Sequence, residues 1–238
     1  MANCPDTVDP MTRVLIADDD TVVRNVVRRY LEHDGLDVVV ARDGEEALRL
    51  LDTERIDVAV LDVMMPGRDG LTLCRMLRDR GGYTLPVILL TALGEEGDRI
   101  AGLEAGADDY LTKPVSPREL ALRVRSVLRR NPSPADSHVV VSCDGLTVSA
   151  AARSVTVNGK PVSLTNREFD LLLFLLTHRS IVFSREELLK QVWQWDFGDL
   201  STVTVHVKRL RSKLGDQHRV ETVWGRGYMW SETPNADD

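Results

Sequence analysis

Cysteine pairs, clustered histidines and long apolar runs are all missing from this 238-residue sequence. Its three cysteines, Cys4, Cys74 and Cys143, are odd in number and lack metal-ligand spacing. That argues against a disulfide scaffold or a zinc site and suits a reducing compartment. The five histidines are scattered along the chain. No apolar run nears the roughly 18 residues that cross a bilayer, and the opening MANCPDTVDPM has neither the basic nor the apolar region of a secretion signal. A cytoplasmic protein with no membrane partner is therefore expected. What is present is the balance of a globular protein, 43% hydrophobic and 28% charged, in a chain long enough for two domains.

The net charge of -7 is uneven. Residues 1–130 hold 18 Lys and Arg against 24 Asp and Glu, whereas the remainder holds 12 against 13. Within that remainder, Ser201 to Trp230 contains Lys208, Arg209, Arg211, Lys213, Arg219 and Arg226 against only Asp216 and Glu221. An acidic front and a basic patch near the end point to two different jobs.

Short apolar runs organise the front half: RVLIA (13–17), DVVVA (37–41), VAVL (58–61), PVILL (86–90) and DYL (109–111). Most are too continuous to have one wet face, so they predict a parallel sheet covered by helices on both sides. Between them, Asp43 with Glu46, and Ser116 with Pro117 and Glu119, carry helix-start signals. Five such β-α units predict a doubly wound α/β domain over 12–130. NPSPADS (131–137) reads as a linker. The segment 138–232 predicts strands, with Asn158-Gly159 as a hairpin turn, then three helices. Thr165/Glu168 and Ser184/Glu187 are capping boxes for the first two, the third runs from about Ser201 to Leu214, and a glycine-bearing hairpin closes the chain.

In an open α/β sheet ligands bind beyond the carboxyl ends of the strands. The first run is followed by Asp18-Asp19-Asp20, the third by Asp62, the fourth by Thr91 and the fifth by Lys113-Pro114. Singly these are a capping cluster, a turn residue and a loop. Together, three carboxylates at one edge need a cation between them, and an all-oxygen set suits Mg²⁺. A carboxylate nucleophile beside a lysine and a hydroxyl suits phosphoryl transfer.

On these residues the front half resembles the receiver (CheY-like) domain of two-component response regulators. The resemblance implies Asp62 as phospho-acceptor and Asp18, Asp19 and the main-chain carbonyl of Met64 as further Mg²⁺ ligands. Thr91 and Lys113 would contact the phosphoryl group, Tyr110 would be the aromatic switch, and the Lys113-Pro114 bond would be cis. Met64 and Leu93, both apolar where a side chain might orient water, suggest a long-lived phosphorylated form. Charges over the fourth and fifth helices and the intervening strand alternate in sign, which by itself describes a solvated face with local ion pairs. They also coincide with the interprotomer pairs of the OmpR/PhoB group, Arg99 with Glu119, Asp109 with Arg123 and Asp108 with Arg130, which implies a homodimer when phosphorylated.

On the third helix of the second half, Val203, Val207, Leu210 and Leu214 form one apolar stripe. The opposite side presents Ser201, Val205, Lys208, Arg209 and Ser212, a basic face suited to the DNA major groove. Arg226 at the hairpin tip suits phosphate or the minor groove. VTVHVKRLRSKL followed by TVWGRGYMW resembles the winged-helix effector domain of the OmpR/PhoB group. By that resemblance Trp193, Thr202, His206, Lys208, Arg209, Arg211 and Thr222 contact phosphates, and Thr204 and Val205 lie near base edges. Two departures leave the target sequence open: many members have Arg where Ser201 stands and Asp where Thr204 stands. The whole implies a DNA-binding regulator with no substrate of its own to turn over. Its partners would be a sensor histidine kinase, double-stranded promoter DNA and RNA polymerase. A metal-dependent phosphatase with an Asp nucleophile is the rival, disfavoured because Met64 stands where that chemistry wants a second acid. A receiver controlled by something other than phosphate is a third reading.

Overall fold

A computed structural model describes residues 12–80, 85–92, 102–128, 140–143, 145–195 and 199–232. The chain divides into two compact units, residues 1–129 and 130–238. The expected linker at 131–137 lies outside the described residues. Among the described residues no helix is long and apolar enough to cross a membrane.

In the first unit β1 (Arg13–Ala17), β2 (Asp37–Ala41), β3 (Val58–Asp62), β4 (Val87–Thr91) and β5 (Asp109–Thr112) form one parallel sheet of order β2-β1-β3-β4-β5. Helices α1 (Thr21–His33), α2 (Gly44–Thr53), α3 (Gly70–Asp79) and α4 (Pro117–Leu128) connect and cover it. Successive strand residues point to opposite faces, and both faces are buried. Val14, Ile16, Val58, Val60, Ile88 and Leu90 join Val27 and Leu31 of α1 and Leu120 and Val124 of α4 in one core. The alternate residues Leu15, Leu61 and Leu89 are equally dry. That is why the runs read as continuous rather than alternating. The order reverses between β1 and β3, so the switch point where open sheets bind ligands lies between them.

The second unit begins with an antiparallel sheet of β6 (Val140–Cys143), β7 (Leu146–Ser149), β8 (Ser154–Val157) and β9 (Lys160–Val162). Asn158 and Gly159, at φ 50° and 76°, turn β8 into β9, the two positive values an Asn-Gly hairpin supplies. Helices α5 (Asn166–Thr177), α6 (Arg185–Leu188) and α7 (Ser201–Leu214) follow, then the hairpin of β10 (Val220–Val223) and β11 (Gly227–Trp230). Both expected capping boxes form. α6 is a single turn that continues as a π-helical segment, Leu189–Trp193. The α7 stripe Val203, Val207, Leu210 and Leu214 is 0–1% exposed, each burial contributing roughly 1.5–3 kcal/mol.

Candidate functional site

The acidic edge is built by strand ends. Asp18 follows β1, Asp62 ends β3, Thr91 ends β4 and Lys113 follows β5. Asp18 and Asp62 are 0% and 3% exposed, Asp19 is exposed, and single carboxylate oxygens of the three lie within 4.8 Å of one another. Lys113 Nζ donates to Asp62 Oδ2 at 2.8 Å and stands 2.9 Å from Asp18 Oδ2. Asp20, the third acid of the run, does something else: its Oδ1 accepts from the Val22 and Val23 amides and caps α1. The capping reading and the metal reading of DDD thus apply to different residues of it.

Local backbone geometry brings α3 onto the end of β3. A Cβ on Gly70 would sit 2.3 Å from the carbonyl oxygen of Asp62, so only glycine admits that approach. Asp69 caps the helix through the Thr72 amide. Met64 N donates to Asp62 Oδ1 at 3.3 Å, while the Met64 side chain is 70% exposed. Leu93 lies outside the described residues. Thr91 and Tyr110 are buried, and the Thr91 hydroxyl donates to the Ala92 carbonyl at 3.3 Å. Thr91 stands opposite Thr112 in the β4-β5 ladder, and Tyr110 lies on the same face as Thr112, one pleat back. The Lys113-Pro114 bond is cis.

Burial lifts the Asp62 pKa above its ordinary value, and Asp18 adds to the rise against the pull of Lys113. Burial opposes the Lys113 charge, yet hydrogen bonds to Asp62 and Asp18 leave its pKa raised. Two buried acids share one lysine, a cation deficit in an all-oxygen pocket with one wet edge at Asp19. Those donors fit a hard divalent cation that keeps part of its water.

Four of the six charges expected across a dimer fall among the described residues, and each of these has a partner inside the protomer. Asp108, 1% exposed, takes Arg78 Nη2 and the Val87 amide, both at 2.9 Å. Asp109, 0% exposed, takes Arg123 Nη1 at 2.9 and 2.8 Å, and Arg123 also holds Glu119 at 2.7 Å. Of the described members, then, the structure makes local pairs. Arg99 and Arg130 lie outside the described residues. Sequence reasoning does not single out Arg78, because its partner is 30 residues away.

Several of the residues expected to contact DNA lie in the interior of the second unit. Trp193, Thr202, Val205 and His206 are 0–5% exposed, so their side chains belong to the interior rather than the surface. His206 Nδ1 shares a 2.8 Å hydrogen bond with the Thr202 carbonyl, and its ring meets Trp193 edge-on at 5.1 Å. Arg209 is turned inward onto buried Glu168 at 2.7 Å, which Lys213 also reaches at 2.7 Å. Arg211 donates to the Val220 carbonyl and to Thr222 Oγ1 at 2.9 Å, tying α7 to β10. Thr204, Lys208 and Arg226 remain exposed. Sequence reasoning misses Arg185, whose Nε donates to Thr204 Oγ1 at 3.2 Å and whose guanidinium lies 5.6 Å from the Tyr228 ring centroid. It also takes Glu168 for no more than a cap.

Two family models match the chain: the response regulator receiver domain over residues 14–125 and the C-terminal domain of transcriptional regulatory proteins over residues 159–230. The transcriptional regulatory protein ResD of Bacillus subtilis is 43% identical over 232 residues, 92% of this chain and 95% of that protein. The transcriptional regulatory protein SrrA of Staphylococcus aureus is 40% identical over 236 residues, 94% and 97% of the two chains. The crystal structure of DrrB, a Thermotoga maritima OmpR/PhoB homolog, is 34% identical and covers 93% of this chain and 99% of its own, with a TM-score of 0.50.

Proposed function

Because the chain belongs to the OmpR/PhoB-type response regulators, we propose that Asp62 is the residue that accepts a phosphoryl group. The donor is a phosphohistidine on a sensor histidine kinase. The observation that carries the reading is the placement of Lys113 Nζ between Asp62 and Asp18, with Asp19 beside them, at the carboxyl ends of β1, β3 and β5. In the transfer an Asp62 carboxylate oxygen bonds to phosphorus as the donor's N–P bond breaks. Lys113 is positioned to follow the new phosphoryl oxygens, and Thr91 to leave the Ala92 carbonyl for them. Asp18, Asp19, Asp62 and the Met64 carbonyl are the groups that would hold Mg²⁺, which when bound neutralises charge on the phosphoryl oxygens.

Helix α1 begins immediately after this cluster and exposes Val22 (69%), Val26 (49%) and Tyr30 (38%) at i, i+4 and i+8. An apolar stripe beside the acceptor suits docking of a kinase helix. Switching the receiver from mostly off to mostly on needs about 5 kcal/mol of differential stabilisation. New hydrogen bonds to a charged group contribute about 1.5–3 kcal/mol each, so Thr91, Lys113 and one backbone amide suffice. The switched receivers pair through the charged face over residues 99–130, joining Arg99 to Glu119, Asp109 to Arg123 and Asp108 to Arg130 of the other protomer, and Asp108, Asp109, Glu119 and Arg123 give up their partners within the protomer to do so. The paired second units then bind promoter DNA through α7 and the β10-β11 hairpin and engage RNA polymerase. Met64, with no hydrogen-bonding side chain to orient water, favours a slowly hydrolysed phosphoryl group.

The test is incubation with a small acyl-phosphate donor and Mg²⁺, read by intact mass and by size. Wild type gains one phosphoryl group and a dimer, and Asp62→Asn gains neither. Equal incorporation by the mutant, or none by wild type, overturns the reading. Loss of incorporation on chelating the metal is expected for the wild type.

A further inference from the structure

Asp18, Asp19 and Asp20 turn the chain from β1 into α1, and the bonds of that turn converge on one side chain. The Asp18 amide donates to the Ala41 carbonyl at 3.3 Å, and Asp18 Oδ1 accepts from the Asp20 amide at 2.8 Å. Asp18 Oδ2 faces Lys113, and the Asp20 carbonyl accepts from the Arg24 amide at 3.0 Å. The Asp18 carbonyl is held by the Arg24 guanidinium: Nη1 donates to it while Nη2 donates to Thr21 Oγ1 at 2.9 Å. Arg24 stands near the start of α1, where the helix dipole disfavours a cation. Arg28, one turn later, makes an ordinary surface pair with Glu32 at 2.7 Å. Arg24 instead reaches back past the helix start, half-buried, and among the described residues bonds no carboxylate although the turn it grips is all aspartate. A cation that merely solvated the helix would lie in water or on one of those acids. This one is committed to the main chain. The carbonyl it holds belongs to the planar peptide that leads into Asp19, so fixing that plane fixes where the Asp19 side chain starts.

We propose that Arg24 is a positioning residue for the cation site: by holding the Asp18-Asp19 peptide it keeps the exposed Asp19 carboxylate in register with those of Asp18 and Asp62, and Thr21 orients its guanidinium. Groups that orient ligands without touching the metal commonly contribute about 10–100-fold in affinity. Charge alone predicts the opposite sign, since removing a nearby cation should tighten the binding of another cation. The inference rests on the reading of this pocket as the Mg²⁺ site and adds to it a residue that touches neither the metal nor the phosphoryl group.

The experiment titrates the full, unphosphorylated chain with Mg²⁺ in a calorimeter. Arg24→Gln should weaken Mg²⁺ binding about tenfold, and Arg24→Lys, which keeps the charge and one donor, should weaken it less. Thr21→Val, which removes only the orienting hydroxyl, should move affinity in the same direction and serves if Arg24→Gln does not fold. With a small acyl-phosphate donor, the Mg²⁺ concentration for half-maximal incorporation should rise by the same factor, while the rate at saturating Mg²⁺ stays within about twofold of wild type. A brace for α1 alone would lower the metal-free melting temperature and leave both Mg²⁺ readings unchanged. That result, or tighter binding by Arg24→Gln, overturns the proposal. Wild type that takes up no Mg²⁺, or that binds it as tightly after Asp62→Asn, instead counts against the reading of the pocket itself.

Discussion

In the first unit two buried acids, Asp18 and Asp62, share one lysine; in the second a single buried acid, Glu168, is held by Arg209, Lys213 and the Thr165 amide, each at 2.7 Å. The first arrangement is short of positive charge and the second has more than enough. A shortage leaves a site receptive to a cation and to a group whose charge the lysine can follow. An excess closes the site on itself and makes a strut between α5 and α7. Burial alone does not separate the two, since Asp18, Asp62 and Glu168 are all 0–3% exposed. The count of cations around each acid does.

The largest effect should come from breaking the strut. Glu168→Ala leaves Arg209, 10% exposed, without that partner inside the unit, and a broken buried pair costs about 3–5 kcal/mol. Denaturant unfolding of the full chain checks it, and a loss under about 1 kcal/mol would rank the cluster with surface pairs. Burial opposes the Glu168 charge, yet Arg209, Lys213 and the Thr165 amide hold its pKa below the ordinary value. Its contribution is therefore present above the unfolded carboxylate pKa and is lost as pH falls through the lower folded value. Asp62, raised by burial, has the opposite sign: its ionisation in the fold destabilises as pH rises past the unfolded value. Acidification should loosen amides of α5 while sparing those of β3, as hydrogen exchange would show, and Glu168→Gln should remove most of the α5 response.

Arg123 tests whether the charged face of the first unit behaves like the strut. Its removal leaves Asp109 buried with less compensation, which should cost up to about 3 kcal/mol. If the pairing is within the protomer, the loss will not depend on protein concentration. A loss that grows with concentration would instead place the pair across a dimer.

The contrast also governs what the sequence reveals. Strand ends are positions that hydrophobic pattern locates by itself, so Asp18, Asp62, Thr91 and Lys113 can be collected from residue order alone, and the five runs match β1 to β5 closely. Helix faces are harder. The α7 stripe is legible, but Thr202, Val205 and His206 lie on other sides of the same helix and are buried too, because α5, α6 and the hairpin surround it. A one-stripe reading assumes one covered face. Arg209 is misplaced for a related reason, since its partner Glu168 lies far back along the chain and looks fully used as a cap. Arg78 and Asp108 are likewise a long-range pair that spacing does not announce.

A smaller effect follows from the cation shortage. Asp62→Asn keeps the shape of the side chain and removes one of two charges competing for Lys113, so without metal the first unit should gain roughly 1 kcal/mol. Wild type should gain stability with added Mg²⁺, and the mutant should gain less. Thermal unfolding with and without the metal resolves both. A mutant less stable than wild type in both conditions would mean that Lys113 already balances the pair.

The smallest expected effect carries the comparison to the DNA-facing surface. Arg185 meets a hydroxyl at Thr204 and an aromatic ring at Tyr228, with no carboxylate bonded to it among the described residues. Thr204→Asp would supply one in the first turns of α7, where an acid also suits the helix dipole. An exposed pair of this kind stabilises by less than about 1 kcal/mol. The same substitution cancels a positive charge facing DNA, so the salt slope of binding should fall by about 1. A gain in stability together with weaker, less salt-sensitive binding would show that this surface, unlike the strut, keeps its cations uncompensated for an external polyanion. Unchanged binding would remove Arg185 from the interface and leave Lys208 and Arg226 to form it.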